Sequence, residues 1–136
     1  MSGLRILLVC LFFFGISCGV QKDVLMKVNY TDQNNNQYLI TETTFNYIPI
    51  TEKESSSGTY NGGKSISKPI TSENFNELLQ LAEALVATSP KDVKREMMTS
   101  VLSVSRNGTS ERVTLRKSIK RNELEAMLVN IKNAAE

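Results

Sequence analysis

"MMTSVLSVSRNGTSERVTLRKS", Met97 to Ser118, is the stretch from which the fold is read. Two alternating runs flank Asn107-Gly108, the signature of a two-residue type I′ turn, because both turn positions need positive φ and these residues tolerate it best. With that pair at the tip, Ser100 stands opposite Leu115, Leu102 opposite Val113 and Val104 opposite Glu111. Side chains alternate across a strand. Met98, Leu102, Val104, Val113 and Leu115 are therefore expected on one face, and Thr99, Ser103, Ser105, Ser110, Arg112, Thr114 and Arg116 on the other. A sheet with one dry face needs a cover.

The flanking segments supply it. Before the hairpin, Thr71 or Ser72 can cap a helix whose apolar residues Phe75, Leu78, Leu79, Ala82, Leu85 and Val86 recur at helical spacing, and Thr88-Ser89-Pro90 ends it. After the hairpin, a second helix is expected from about Asn122, with Glu125 placed as in a capping box and Leu124, Met127, Leu128 and Ile131 on its buried side. Further upstream Val24, Met26, Val28 and Tyr30 alternate as a half-buried strand does, and "TDQNNNQ" is a polar turn. Tyr38 to Ile50 has strand composition with Pro49 at its end, Thr51 to Ser65 is an exposed loop, and a short strand covers Ser65 to Ile70. The expected fold is α+β, in order β-β-β-α-β-β-α, with an antiparallel sheet covered on one face by two helices.

In that layout, with a glycine-bearing loop before "ENFNELLQLAEAL" (Glu73–Leu85), then the hairpin and "NELEAMLVNIKN" (Asn122–Asn133), the chain resembles emfourin, a family of small bacterial inhibitors of thermolysin-like metalloproteases. The resemblance spans most of residues 24–136 and rests on element order. It implies an inhibitory function without assigning a residue to it.

The N-terminus carries a different message. Met1 to Arg5 is basic, Ile6 to Ile16 is an apolar stretch of eleven residues, and small residues follow, which is the pattern of an export leader. A membrane-spanning helix needs about 20 apolar residues, more than are present. Gly15-Ile16-Ser17-Cys18-Gly19 resembles the lipobox of bacterial lipoproteins, in which the cysteine becomes the lipid-bearing first residue of the mature chain. Gly15 stands where that pattern prefers Leu, and ordinary signal-peptidase cleavage is the alternative. Cys10 would leave with the leader, so Cys18 would be the lone mature thiol, and a thioether-linked lipid would cap it. The expected organisation is a signal peptide over 1–17, a lipid anchor and short linker over 18–23, and one domain over 24–136. Gly19 rather than Asp after the cysteine favours the outer membrane in enteric bacteria.

Composition narrows the functions. Without Arg5 the chain has 15 Lys and Arg against 14 Asp and Glu, a near-neutral balance that points to neither nucleic acid nor an acidic substrate. There is no histidine, so Ser-His and Cys-His nucleophile pairs cannot form. "GTYNGGKS", Gly58–Ser65, satisfies the phosphate-loop pattern, but Pro69 five residues beyond Lys64 denies it the helix whose N-terminus would hold the phosphate. A dyad of Ser55, Ser56 or Ser57 with Lys53 or Lys64 would lie in an unpatterned loop with nothing to desolvate the lysine. The basic run Arg112, Arg116, Lys117, Lys120 and Arg121 reads as a solvated face, with anionic head groups as the other reading.

The expected function is accordingly that of a non-catalytic envelope lipoprotein without cofactor, nucleotide or nucleic acid. It would sit on the membrane through palmitate-type lipid on Cys18 and act as a structural or interaction module, with an envelope protease inhibitor and then a small-ligand binder as alternatives. The surface expected to meet a partner is the loop Thr51–Ser65. There Ser57, Gly58, Tyr60, Gly62 and Gly63 combine one aromatic with backbone that a partner can approach closely.

Overall fold

The computed structural model describes residues 25–135. Val24 and Cys18 lie outside them. The elements are β1 (Met26–Thr31), β2 (Gln37–Thr41), β3 (Thr44–Ile48), β4 (Ile66–Pro69), α1 (Ser72–Thr88), β5 (Ser100–Arg106), β6 (Thr109–Leu115) and α2 (Ile119–Asn133). Six strands form one antiparallel sheet in the order β4-β3-β2-β1-β5-β6. The first four meander outward from β1. Helix α1 then carries the chain back, so that β5 can pair with the free side of β1.

The last hairpin forms in the expected register, with Ser100 opposite Leu115, Leu102 opposite Val113 and Val104 opposite Glu111. Asn107 at φ 51° and Gly108 at φ 84° make its turn, both in the region that type I′ requires. One face of the sheet is dry: Met26, Val28, Tyr30, Ile40, Phe45, Leu102, Val113 and Leu115 are buried, and Phe75, Leu78, Ala82 and Leu85 of α1 with Leu124, Leu128 and Ile131 of α2 complete the same core. The fold is α+β with two helices over one face of an antiparallel sheet. Thr71 caps α1, its side chain accepting from Asn74 N at 3.2 Å, and Ser89 before Pro90 ends it.

Four local expectations change. The strand anticipated from Tyr38 to Ile50 is folded on itself, so the order β-β-β-α-β-β-α holds with its second strand split into β2 and β3. The turn at Glu42-Thr43 has neither Gly nor Pro; Thr41 Oγ1 makes it by accepting from the amides of Thr43 (3.4 Å) and Thr44 (3.1 Å) and bonding the Thr44 hydroxyl. Met98 does not join the core face: it has φ 67° and is 56% exposed, because the strand begins only at Ser100, and Thr99 is buried in its place. Helix α2 starts one turn early, capped by Ser118, which accepts from Arg121 N at 3.2 Å. Finally, Arg121 is buried rather than solvated.

The sheet has two unlike ends. At the hairpin end Leu25 O accepts from Asn107 N and Met26 N donates to Glu42 Oε1, so the chain joins β1 beside the tip of the last hairpin. At the other, the loop end, lie the Asp32–Asn36 turn, the Thr51–Ser65 loop and the approach to β5. Arg95 ties that approach to the turn, donating to Asp32 O (2.9 Å) and Asn35 Oδ1 (2.8 Å).

Candidate functional site

The Thr51–Ser65 loop is bolted to the loop end of the sheet through Asn36. Asp32 shapes the preceding turn, its Oδ1 accepting from the amides of Asn34 (2.8 Å) and Asn36 (2.9 Å), with Asn35 at φ 69°, a conformation asparagine tolerates. This turns the Asn36 side chain inward, where it is 2% exposed. Its Nδ2 donates to Asp32 Oδ2 (2.8 Å) and to the Tyr60 hydroxyl (2.9 Å), and its Oδ1 accepts from Ile50 N (3.1 Å). A buried amide whose donors and acceptor are all used is a rigid joint.

Gly62 completes the joint. Its amide donates to Ile50 O at 3.1 Å and its carbonyl accepts from the Tyr47 hydroxyl at 2.8 Å. A Cβ here would stand 2.1 Å from Asn36 Oδ1 and 2.7 Å from Pro49 Cβ, so the position requires glycine by close approach. Gly62→Ala is expected to cost about 1–3 kcal/mol, as overpacking does, and to open the loop to limited proteolysis. Gly58→Ala, where added carbon meets open space but φ is 69°, should cost about 1 kcal/mol and leave the loop base closed. Urea unfolding with protease mapping checks both.

The five residues singled out from sequence thus divide by role. Tyr60 and Gly62 form the base, with Tyr60 turned so that its hydroxyl points inward while 36% of the residue stays exposed. Ser57 and Gly58 lie at the exposed tip, where Ser57 Oγ meets Ser55 Oγ at 2.9 Å. Gly63, at φ 93°, carries the return toward β4. Lys64 leads into that strand rather than into a helix.

A second cluster stands behind the turn. Arg121, 2% exposed, donates from Nε to Glu125 Oε1 (2.9 Å) and from Nη1 to the carbonyls of Met98 (2.7 Å) and Leu115 (3.4 Å), while Nη2 reaches Gln33 Oε1 (3.3 Å). Burial opposes its charge, but the bond to Glu125 and the neighbouring Tyr30 outweigh that and hold its pKa above the usual value. The Tyr30 hydroxyl also donates to Glu125 Oε1. Burial first, and then this bond to a carboxylate, push the tyrosine far above its ordinary range. Arg121 and Glu125 are four apart on α2, a spacing that signals a helical ion pair. Asn36 has no comparable signal in the sequence, because only the assembled loop end surrounds it.

These groups can recognise and position; no three His, Cys, Asp or Glu side chains among the described residues come together as a metal site. No helix among those residues is long and apolar enough to cross a membrane. No protein-family model, curated protein or solved structure matches the chain.

Proposed function

We propose that this chain is a non-catalytic lipoprotein of the bacterial cell envelope, held to a membrane by lipid on Cys18, that presents the loop end of its sheet to a protein partner. The observation that carries the reading is the preorganised base of the Thr51–Ser65 loop: Asn36, Tyr60, Gly62 and Tyr47 hold it with four hydrogen bonds. A loop already ordered loses little entropy on binding. The chain joins β1 at the hairpin end, so an anchor seven residues before Leu25 would leave the loop end facing away from the bilayer. Arg116 and Lys117 follow β6 at the loop end, which favours contact with a partner over contact with head groups beneath the anchor.

The experiment is photo-cross-linking in intact cells from positions 57 and 60, with position 27 on the outer face of the sheet as control. Capture of a discrete partner at 57 and 60 but not at 27 is expected; equal capture at all three overturns the reading. The anchor has its own test. Cys18→Ser should abolish incorporation of clickable palmitate and release the protein from membranes, and unchanged label with continued membrane fractionation would refute lipidation. The rigid loop also favours the second reading, an envelope protease inhibitor of emfourin-like layout. Stoichiometric inhibition of a thermolysin-like protease by the mature domain, lost on Gly62→Ala, would establish it in place of a structural module.

A further inference from the structure

Helix α1 ends and helix α2 begins on the same flank of the molecule, beside the edge strand β6, and between them lies a groove of about 480 Å³. Its floor is apolar, with Leu85 near the end of α1, Val93 of the following connection and Leu115 at the end of β6. Ile119, the first residue of α2, lines the groove too and is 79% exposed, a large aliphatic side chain that the core leaves unused. The Thr51–Ser65 loop joins β3 to β4 and so belongs to the opposite edge of the sheet.

The rim carries one sign of charge. Arg116, Lys117 and Lys120 all line the groove, and no Asp or Glu does. These exposed side chains make no ion pair among the described residues, whereas the other cations of this flank are matched: Lys91 with Glu111 at 3.2 Å, Arg106 with Glu83, and Arg121 with Glu125 at 2.9 Å. Asp92, beside Val93, and Glu123, one turn beyond Lys120, neither line the groove nor pair with the three. The first turn of α2 carries no acidic side chain, so the positive end of the helix dipole adds to the same field instead of offsetting it. Like charges gathered there repel one another in the free protein, and a partner that brings the missing negative charge relieves that repulsion.

An apolar floor under a charged rim is the layout of a protein interface, in which the buried centre supplies affinity and the rim supplies orientation. We propose that this groove docks an acidic segment of a protein partner: one or two aliphatic or aromatic side chains of the segment lie on Leu85, Val93, Leu115 and Ile119, and flanking carboxylates meet Arg116, Lys117 and Lys120. Phosphate head groups would match the charge but leave the apolar floor uncovered, whereas an acidic segment with an apolar centre complements both. A groove of this volume seats a few side chains rather than a domain. The docking needs neither lipid on Cys18 nor the Thr51–Ser65 loop, so it stands if either of those readings fails.

The test is an NMR titration of residues 18–136 carrying Cys18→Ser with two acetylated, amidated hexapeptides, Glu-Glu-Leu-Leu-Glu-Glu and Glu-Glu-Leu-Phe-Glu-Glu. Gln-Gln-Leu-Leu-Gln-Gln controls for charge and Glu-Glu-Ser-Ser-Glu-Glu for apolar contact. Saturable shifts centred on Val93, Leu115 and Ile119 are expected with the acidic apolar peptides, each control binding about tenfold more weakly. Arg116→Gln with Lys117→Gln and Lys120→Gln removes three charges that pair with nothing in the free protein, so the variant should melt no lower than wild type and bind about tenfold more weakly, the loss of three exposed ion pairs. Ile119→Ser should weaken binding about fivefold, since part of one aliphatic side chain is no longer buried. Absence of saturable shifts at the groove with both acidic apolar peptides, a control that binds as tightly, or unchanged affinity in the triple variant would each overturn the proposal. So would the same signals moving with protein concentration alone, which names a second copy as the occupant, or moving with phosphatidylglycerol vesicles and not with the peptides, which names a lipid surface.

Discussion

Arg121→Leu should lower the free energy of unfolding by about 3 kcal/mol or more, because removing one partner of a buried ion pair leaves the remaining groups unsatisfied. The guanidinium is the donor to Glu125 Oε1 and to the carbonyls of Met98 and Leu115. Leucine fills part of the volume and replaces none of these bonds. Glu125 is partly exposed and can recover some hydration, which keeps the expected cost at the lower end of the range for fully buried pairs. Arg121→Lys should fall between wild type and Arg121→Leu, since an ammonium lacks the planar fork that reaches the carboxylate and the carbonyls together. An apolar triple variant, Tyr30→Phe with Arg121→Leu and Glu125→Met, should regain part of the loss by removing the orphaned hydroxyl and carboxylate, while the carbonyls of Met98 and Leu115 stay without their donor. Urea unfolding measures all three. An Arg121→Leu protein within about 0.5 kcal/mol of wild type, as for an ordinary surface change, would mean that the buried cluster contributes nothing to stability.

Deleting Gly108 should be as damaging, for a reason that lies in the local chain. The Asn107-Gly108 pair closes β5 onto β6 in the register that puts Leu102 opposite Val113. Without Gly108 the two-residue turn is lost, and a one-residue slip sends alternate side chains to the other face. Val113 and Leu115, both buried, would meet solvent while Arg112 and Thr114 turned toward the helices. Exposing two such apolar side chains costs about 3 kcal/mol or more. Gly108→Ala keeps the count and hence the register, so it should cost only the strain of a left-handed alanine, about 1 kcal/mol. Equal melting of the deletion variant and wild type would show that the turn does not set the register; amide exchange in β5 and β6 would report the same slip residue by residue.

These two results divide along the line between local and assembled information. The last hairpin was legible in the sequence because a type I′ turn is encoded by two adjacent residues and the pleat does the rest. The same holds for α1, where Thr71, the apolar period and Ser89-Pro90 mark start, face and stop within one segment. The β2–β3 turn was missed because it carries no glycine or proline; Thr41 turns the chain with a hydroxyl, and Thr is also a good strand residue. The start of α2 was misplaced for a related reason. Glu125 sits where a capping-box acid would, yet its carboxylate is drawn away to Tyr30 and Arg121, and Ser118 caps the helix instead.

The candidate site was legible in part. Tyr60 and the glycines of the Thr51–Ser65 loop stood out by composition, but composition could not distinguish the joint at Gly62 from the open tip at Gly58. That difference lies in what surrounds each glycine, Asn36 and Pro49 in one case and empty space in the other.

By itself the sequence determined the register of the last hairpin, the helix faces and therefore an α+β sheet with one covered side, all of them set by bonds and contacts between near neighbours. The tertiary structure alone decided that Arg121 is buried, that Asn36 locks a loop, and that Leu85, Val93 and Ile119 line one groove. Tyr30 and Glu125 are 95 residues apart, and whether a charged or polar side chain is buried depends on which partners the whole sheet brings within hydrogen-bond reach, because burial without them is too costly to persist.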